Sequence, residues 1–218
     1  MSQIILVLGE SGTGKSTSIR TLSPEETFIL NVLHKPLPFR GYRNLYSEEK
    51  KNYLDSDEYS KIIGYVKAIN ERRPEIKSII IDDFSFLMSN QYMRRCREKN
   101  FDKFVDIGAN AFELLDYCKS LRDDLCVFIM CHTDQDHAGM IKPKTVGKMV
   151  SEHVCLGERV TICLHSQVID GQYKFLTNHN GVHFAKSPHQ MFDDLYIDND
   201  LQYVKEKMFE YFNEEIEQ

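Results

Sequence analysis

No stretch of this 218-residue chain is apolar for long enough to cross a bilayer, and its N-terminus lacks a signal-peptide pattern. Membrane and secretory classes are therefore set aside, and a cytoplasmic protein without a membrane partner is the expectation. A first strand beginning within a few residues of Met1 leaves little room for a targeting or assembly arm. Cysteine pairing is also missing. Cys96, Cys118, Cys126, Cys131, Cys155 and Cys163 show no C-x-x-C spacing and lie mostly in apolar segments, as reduced core thiols do. His153-x-Cys155 and Cys163-x-His165 lack the closer spacing of zinc sites and read as core and edge residues. Positive charge is not in excess: 27 Lys and Arg against 33 Asp and Glu give a net charge of −6. That excludes a generic polycation and confines any nucleic-acid surface to a local patch. Repeats, low-complexity tracts and dividing linkers are absent as well. With 42% hydrophobic and 28% charged residues, residues 1–218 read as a single globular domain.

What is present begins at Leu6: LVLGESGTGKST fits G-x-x-x-x-G-K-[ST]. The apolar run Ile4 to Leu8 suits a strand buried on both faces, and Thr17 to Arg20 can open a helix. Glycines at this spacing turn the backbone tightly and aim N–H groups at phosphate oxygens, with the helix N-terminus adding positive charge. Gly9, Glu10, Ser11, Gly12, Thr13, Gly14, Lys15, Ser16 and Thr17 are thus the expected triphosphate cradle. Lys15 can reach the β- and γ-phosphates and Ser16 can ligate Mg²⁺, which makes ATP and Mg²⁺ the expected cofactors.

Farther along, Ser78 to Ile81 forms an apolar strand ending in Asp82 and Asp83. A carboxylate at a strand's C-terminal end can hold the Mg²⁺ that Ser16 also touches, and Asp82 stands there. Asp83 either orients the attacking water or caps the following helix. His132 ends another buried strand, Leu125 to Cys131, where a polar residue can sense the γ-phosphate. Strands are also expected over 27–33, 159–168 and 172–177, the last two joined by a hairpin turn at Asp170-Gly171. Helical spacing marks 57–72, 86–99, 104–121, 149–156 and 199–213, the last having an acidic end, so that 199–218 reads as a C-terminal helix and acidic tail. Residues 42–56 read as a surface insertion and 133–148 as a mobile loop. Strands alternating with helices give an α/β sheet, mainly parallel, with an antiparallel hairpin at one edge.

Two patches mix cations with aromatics. Arg94, Arg95, Arg97, Lys99 and Lys103 interleave with Tyr92, Phe101 and Phe104; Lys35, Arg40 and Arg43 form the other. Such mixtures suit single-stranded nucleic acid, and equally a solvated helix face with its aromatics in the core.

Taken with NVLHKPLPFRGY, IIIDDFSFLM, MCHTDQD, KTVGKMVSEHV and FAKSPHQMFDDLYIDNDL, the chain resembles the phage-encoded RecA-like ATPases of the short, Sak-type recombination kind, grouped with phage AAA-type nucleotide-binding proteins. The resemblance implies a RecA-like P-loop core in which the strand ending at His132 separates the P-loop and Asp82 strands. It implies a DNA-dependent ATPase of recombination, annealing or replication-linked repair in the host cytoplasm. It also implies single-stranded DNA and a single-strand DNA-binding protein as partners, and a homo-oligomer sharing its nucleotide site between subunits. In that picture Lys142, Lys144 and Lys148 contact DNA phosphates, and Lys186 reaches a neighbouring subunit's γ-phosphate. Two departures stand out. His34-Lys35 occupies the region where such proteins place a water-activating glutamate, leaving Asp83 or Glu10 for that work, and no polymerisation segment precedes the first strand. An ATP-gated assembly module with little turnover, or a small-molecule kinase, are the other readings. The kinase lacks support in 133–148, which has no arginine for a lid.

Overall fold

A computed structural model describes residues 3–147 and 150–213. The apolar run after Gln3 forms β1 (Gln3–Leu8), with every residue but the first buried. Burying each Ile, Leu or Val contributes about 1.5–3 kcal/mol, so a strand of this composition settles at the sheet centre. It pairs in parallel with β5 (Cys126–Cys131) on one side and β8 (Ile162–Ile169) on the other. Beyond β5 come β4 (Ser78–Asp82), β2 (Thr27–Asn31) and β3 (Tyr53–Asp55), all parallel. Beyond β8 the direction reverses into β9 (Gln172–Leu176), which pairs with β10 (Tyr196–Asp198). The order is β10-β9-β8-β1-β5-β4-β2-β3.

Strand alternation divides the core in two. Ile4, Leu6, Leu8, Ile79, Ile81 and Val127 face α2 (Tyr59–Arg72), α3 (Phe84–Arg94) and α4 (Asp102–Lys119). Ile5, Val7, Ile80, Phe128 and Leu164 face the opposite way, toward Ile19, Leu22 and α5 (Leu201–Asn213). The result is a mainly parallel α/β sheet between two helical layers, with an antiparallel hairpin at one edge.

Several local expectations change. The helix expected after the P-loop is a 3₁₀ turn over Ser16–Thr21. Ser18 Oγ donates to the Lys15 carbonyl (2.5 Å) and Thr21 Oγ1 to that of Ser18 (3.0 Å), and such back-bonding competes with an α-helical ladder. Residues 42–56 hold a short α1 (Tyr42–Leu45) and also β3, which extends the sheet, so the segment is more than a surface insertion. The expected loop after His132 is a small hairpin of β6 (Thr133–Gln135) and β7 (Ile141–Pro143). The helix expected at 149–156 is a π-helical stretch over Val150–Val154.

Candidate functional site

The P-loop starts where β1 leaves the sheet. Gly9 turns the chain at φ 155°. A Cβ there would sit 2.5 Å from Thr13 Oγ1 and 2.8 Å from the Ser166 carbonyl oxygen, so the position requires glycine. The loop is fastened from both sides. Ser166 Oγ donates to the Thr13 carbonyl (2.6 Å), and Asn199 Nδ2 donates to that of Gly14 (3.3 Å). Lys15 Nζ crosses the loop to the carbonyls of Gly9 (2.7 Å) and Glu10 (2.8 Å). Beside it opens a cleft of about 270 Å³ lined in part by Lys15, Ser16, Lys35, Asp82, Asp83 and His132.

Ser16 and Asp82, 66 residues apart in sequence, meet here, with Ser16 Oγ donating to Asp82 Oδ1 at 2.9 Å. Asp82 is 3% exposed, and burial, reinforced by the charge of Asp83, pushes its carboxyl up to about 7 against the pull of Ser16 and Lys15. Burial likewise lowers the Lys15 ammonium, while Asp83 and Asp82 oppose that shift. A buried carboxylate beside a hydroxyl and a second carboxylate is an oxygen donor set for a hard cation. A divalent ion at Asp82 would offset both causes that raise its pKa, so these residues fit Mg²⁺.

Asp83 begins α3 in the left-handed region (φ 61°, ψ 35°), and its side chain does not cap the helix. Instead it accepts from His132 Nε2 (2.9 Å) and pairs with Lys35 Nζ (3.2 Å). Burial raises Asp83, but His132 and Lys35 outweigh it and hold the carboxyl below its ordinary range. The capping alternative is thus replaced by an ion-pair network facing the cleft. His132 is fixed by its own N–H donating to Ser85 Oγ (3.0 Å) and by an edge-on Phe86 ring at 5.3 Å. Its carbonyl accepts from the Lys144 N–H at 2.8 Å, at the base of the β6–β7 hairpin.

The remaining expected site residues lie outside this cluster. Lys142 pairs with Asp136 at 3.5 Å, Lys144 makes no ion pair among the described residues, and Lys148 falls outside them. The Arg94 and Arg95 charges are already neutralised, by Asp57 for the first and by Glu98 (2.7 Å) and Asp106 (2.5 Å) for the second. Lys103 is buried, donating to the Glu98 carbonyl (2.7 Å) over the Tyr92 and Phe104 rings. In the first basic patch Arg94, Arg95 and Lys103 thus have partners within the chain, while Phe101 is exposed. Lys186 pairs its backbone with Cys163 on β8 and does not line the cleft of its own chain. Among the described residues no group of three His, Cys, Asp or Glu could hold a metal ion by itself. His165 packs against His183, ring centroids 4.7 Å apart, directly before Ser166.

Sequence reasoning missed Ser166, Asn199 and Tyr173, which touch the P-loop from β8, the β10–α5 turn and β9. None carries a local motif: Ser166 and Tyr173 reach the loop through strand register, and Asn199 from the turn after β10. The one available signal was the Asp170-Gly171 hairpin, which fixes how β9 folds back beside β8.

With one strand between β1 and β4, and with the glycine loop, Ser16 and Asp82 converging, the chain has a P-loop α/β fold. Among the described residues no helix is long and apolar enough to cross a membrane. No family model matches the sequence, and no curated protein matches it. Among solved structures the chain is similar to a KaiC-like protein from the hyperthermophilic archaeon Pyrococcus horikoshii OT3. The two are 14% identical, covering 79% of this chain and 76% of the other, with a TM-score of 0.42. A likeness of that depth carries no function across.

Proposed function

We propose that the chain is a Mg²⁺-dependent ATPase whose nucleotide state governs its hold on single-stranded DNA in phage recombination, annealing or replication-linked repair. The contact that supports the ATPase half is Ser16 Oγ to Asp82 Oδ1, which brings both expected Mg²⁺ ligands to the mouth of the P-loop. Mg²⁺, when bound, neutralises charge on the β- and γ-phosphate oxygens. Lys15 contributes a further positive charge from beneath the loop, replacing its carbonyl partners with phosphate oxygens. Asp83 orients the attacking water. The water oxygen bonds to the γ-phosphorus as the bridging oxygen leaves with ADP, and the released proton passes to phosphate or solvent. Asp83 takes the place of the absent glutamate after β2, while Glu10 is left as a loop residue whose carbonyl anchors Lys15.

The DNA half is supported by the two ends of His132. Its ring holds Asp83, and its carbonyl holds the N–H of Lys144, a cation at the hairpin base without an ion pair among the described residues. A change at the γ-phosphate is thereby passed to the hairpin through one residue. Lys186 acting on a neighbouring subunit, and a homo-oligomer with shared sites, belong to the same reading. A gated module with little turnover is favoured by one observation, namely that Lys35 and His132 already occupy Asp83. ATP hydrolysis measured with and without single-stranded DNA, alongside mass measurement in ATP, tests the proposal. DNA-stimulated phosphate release and an ATP-dependent oligomer are expected. Binding of ATP without release under either condition would leave the gated module in its place.

A further inference from the structure

The geometry points to Tyr173 as the platform on which the nucleobase of the bound nucleotide stacks, an inference that rests on the P-loop reading above. Tyr173 is 42% exposed on β9 and lines the same cleft as Lys15 and Asp82. Among the described residues no other phenolic or phenyl side chain does so. One face of its ring lies on the P-loop backbone: a Cβ built on Gly14 would fall 2.8 Å from Tyr173 Cγ and Cδ1. The Gly14 carbonyl is held in turn by Asn199, so this part of the loop is fixed beneath the ring. Among the described residues no aromatic ring stacks on the other face, and the hydroxyl makes no hydrogen bond.

Sheet order gives the direction of the ligand. Asp82 ends β4, two strands from β1 on one side, whereas Tyr173 sits on β9, two strands from β1 on the other. Ser16 holds Asp82 at one end of the loop and Gly14 lies against the Tyr173 ring, so a nucleotide along the P-loop with its terminal phosphate toward Asp82 and Asp83 turns its nucleoside end to the ring. Polar residues dominate the cleft, so a half-exposed ring there has little packing function to perform. An aromatic face accepts any base, and purines, having more area, gain most. Tyr173 therefore sets affinity for the nucleoside part and favours purine over pyrimidine triphosphates without reading hydrogen-bonding edges.

The test compares Mg·ATP with Mg·tripolyphosphate, which lacks the nucleoside, on native protein, Tyr173→Ala, Tyr173→Phe and Lys15→Ala. With the stacked ring lost, Tyr173→Ala should raise the Kd for ATP roughly ten-fold. Tyr173→Phe should restore it, and tripolyphosphate affinity should not change. Equal weakening of both ligands in Tyr173→Ala would make the ring a prop for the loop and overturn the proposal, as would unchanged ATP affinity. Failure of the P-loop reading shows differently: Lys15→Ala would then bind both ligands as tightly as native protein does.

Discussion

Replacing His165 by glutamine removes a titratable ring from one of the most enclosed positions near the P-loop, and the effect can be worked out in advance. The ring is 2% exposed, its Nδ1 lacks a hydrogen-bond partner among the described residues, and His183 stands against it. Burial, followed by the His183 charge, pushes its pKa down to about 4. In the unfolded chain the same group titrates near 6.5. Between those values the unfolded chain holds the extra proton, so stability rises with pH there. The contribution is complete above about 6.5 and is lost as pH falls toward 4. Linkage gives a loss of about 2 kcal/mol at pH 5 and about 3 kcal/mol at pH 4, relative to pH 7.5. For a chain of this size, 2 kcal/mol corresponds to about 4–8 °C in Tm. Other groups titrate too, so the quantity to measure is the difference between native protein and His165→Gln in denaturant melts at pH 7.5, 6 and 5. The native curve should fall more steeply by that amount. Parallel pH curves for the two proteins would mean that the ring is solvated or protonated in the fold, and the reasoning would collapse.

Three further outcomes follow from the geometry. Gly9→Ala puts a methyl against the Ser166 carbonyl, and that overpacking should cost about 1–3 kcal/mol, read as a lower Tm together with weaker ATP binding; native-like values for both would contradict the loop geometry. Asp83→Asn should lower kcat by about 100-fold or more while leaving the Kd for Mg·ATP close to native, and full turnover in that variant would remove Asp83 from the reaction. Lys142→Ala combined with Lys148→Ala should weaken single-stranded DNA binding and flatten the log–log salt dependence by about 1.4, at about 0.7 per lost contact; an unchanged slope would remove Lys142 and Lys148 from the DNA contact.

The parts of the site that were legible beforehand are those written in consecutive residues. GESGTGKST and IIIDD each encode a strand, a bend and a functional group within a dozen positions, so the pairing of Ser16 with Asp82 follows once the two strands share a sheet. The alternation of β4 and β5 between two apolar faces was equally plain. The ion pairs of Arg94 and Arg95 were not legible, because their partners Asp57 and Asp106 come from other elements. β3 and β10 escaped notice because three-residue edge strands carry too few positions for a period to show. The 3₁₀ turn after the P-loop could have been suspected from Ser16, Thr17, Ser18 and Thr21, whose hydroxyls favour back-bonding over a long helix.

β8 bears on how this protein can change over time. Its successive residues place His165 in the interior and Ser166 on the P-loop, and its pairing with β9 sets Tyr173 over Gly14. Because side chains alternate with a period of two, a single inserted or deleted residue in β8 would reverse all of these assignments at once. The exposed chain before Asn52 and the tip of the β6–β7 hairpin are under no such restriction. Tolerance of length change is thus divided sharply along the chain. Variants that lengthen or shorten the outer loops remain open to selection, while the strand that fastens the P-loop is fixed in its count of residues.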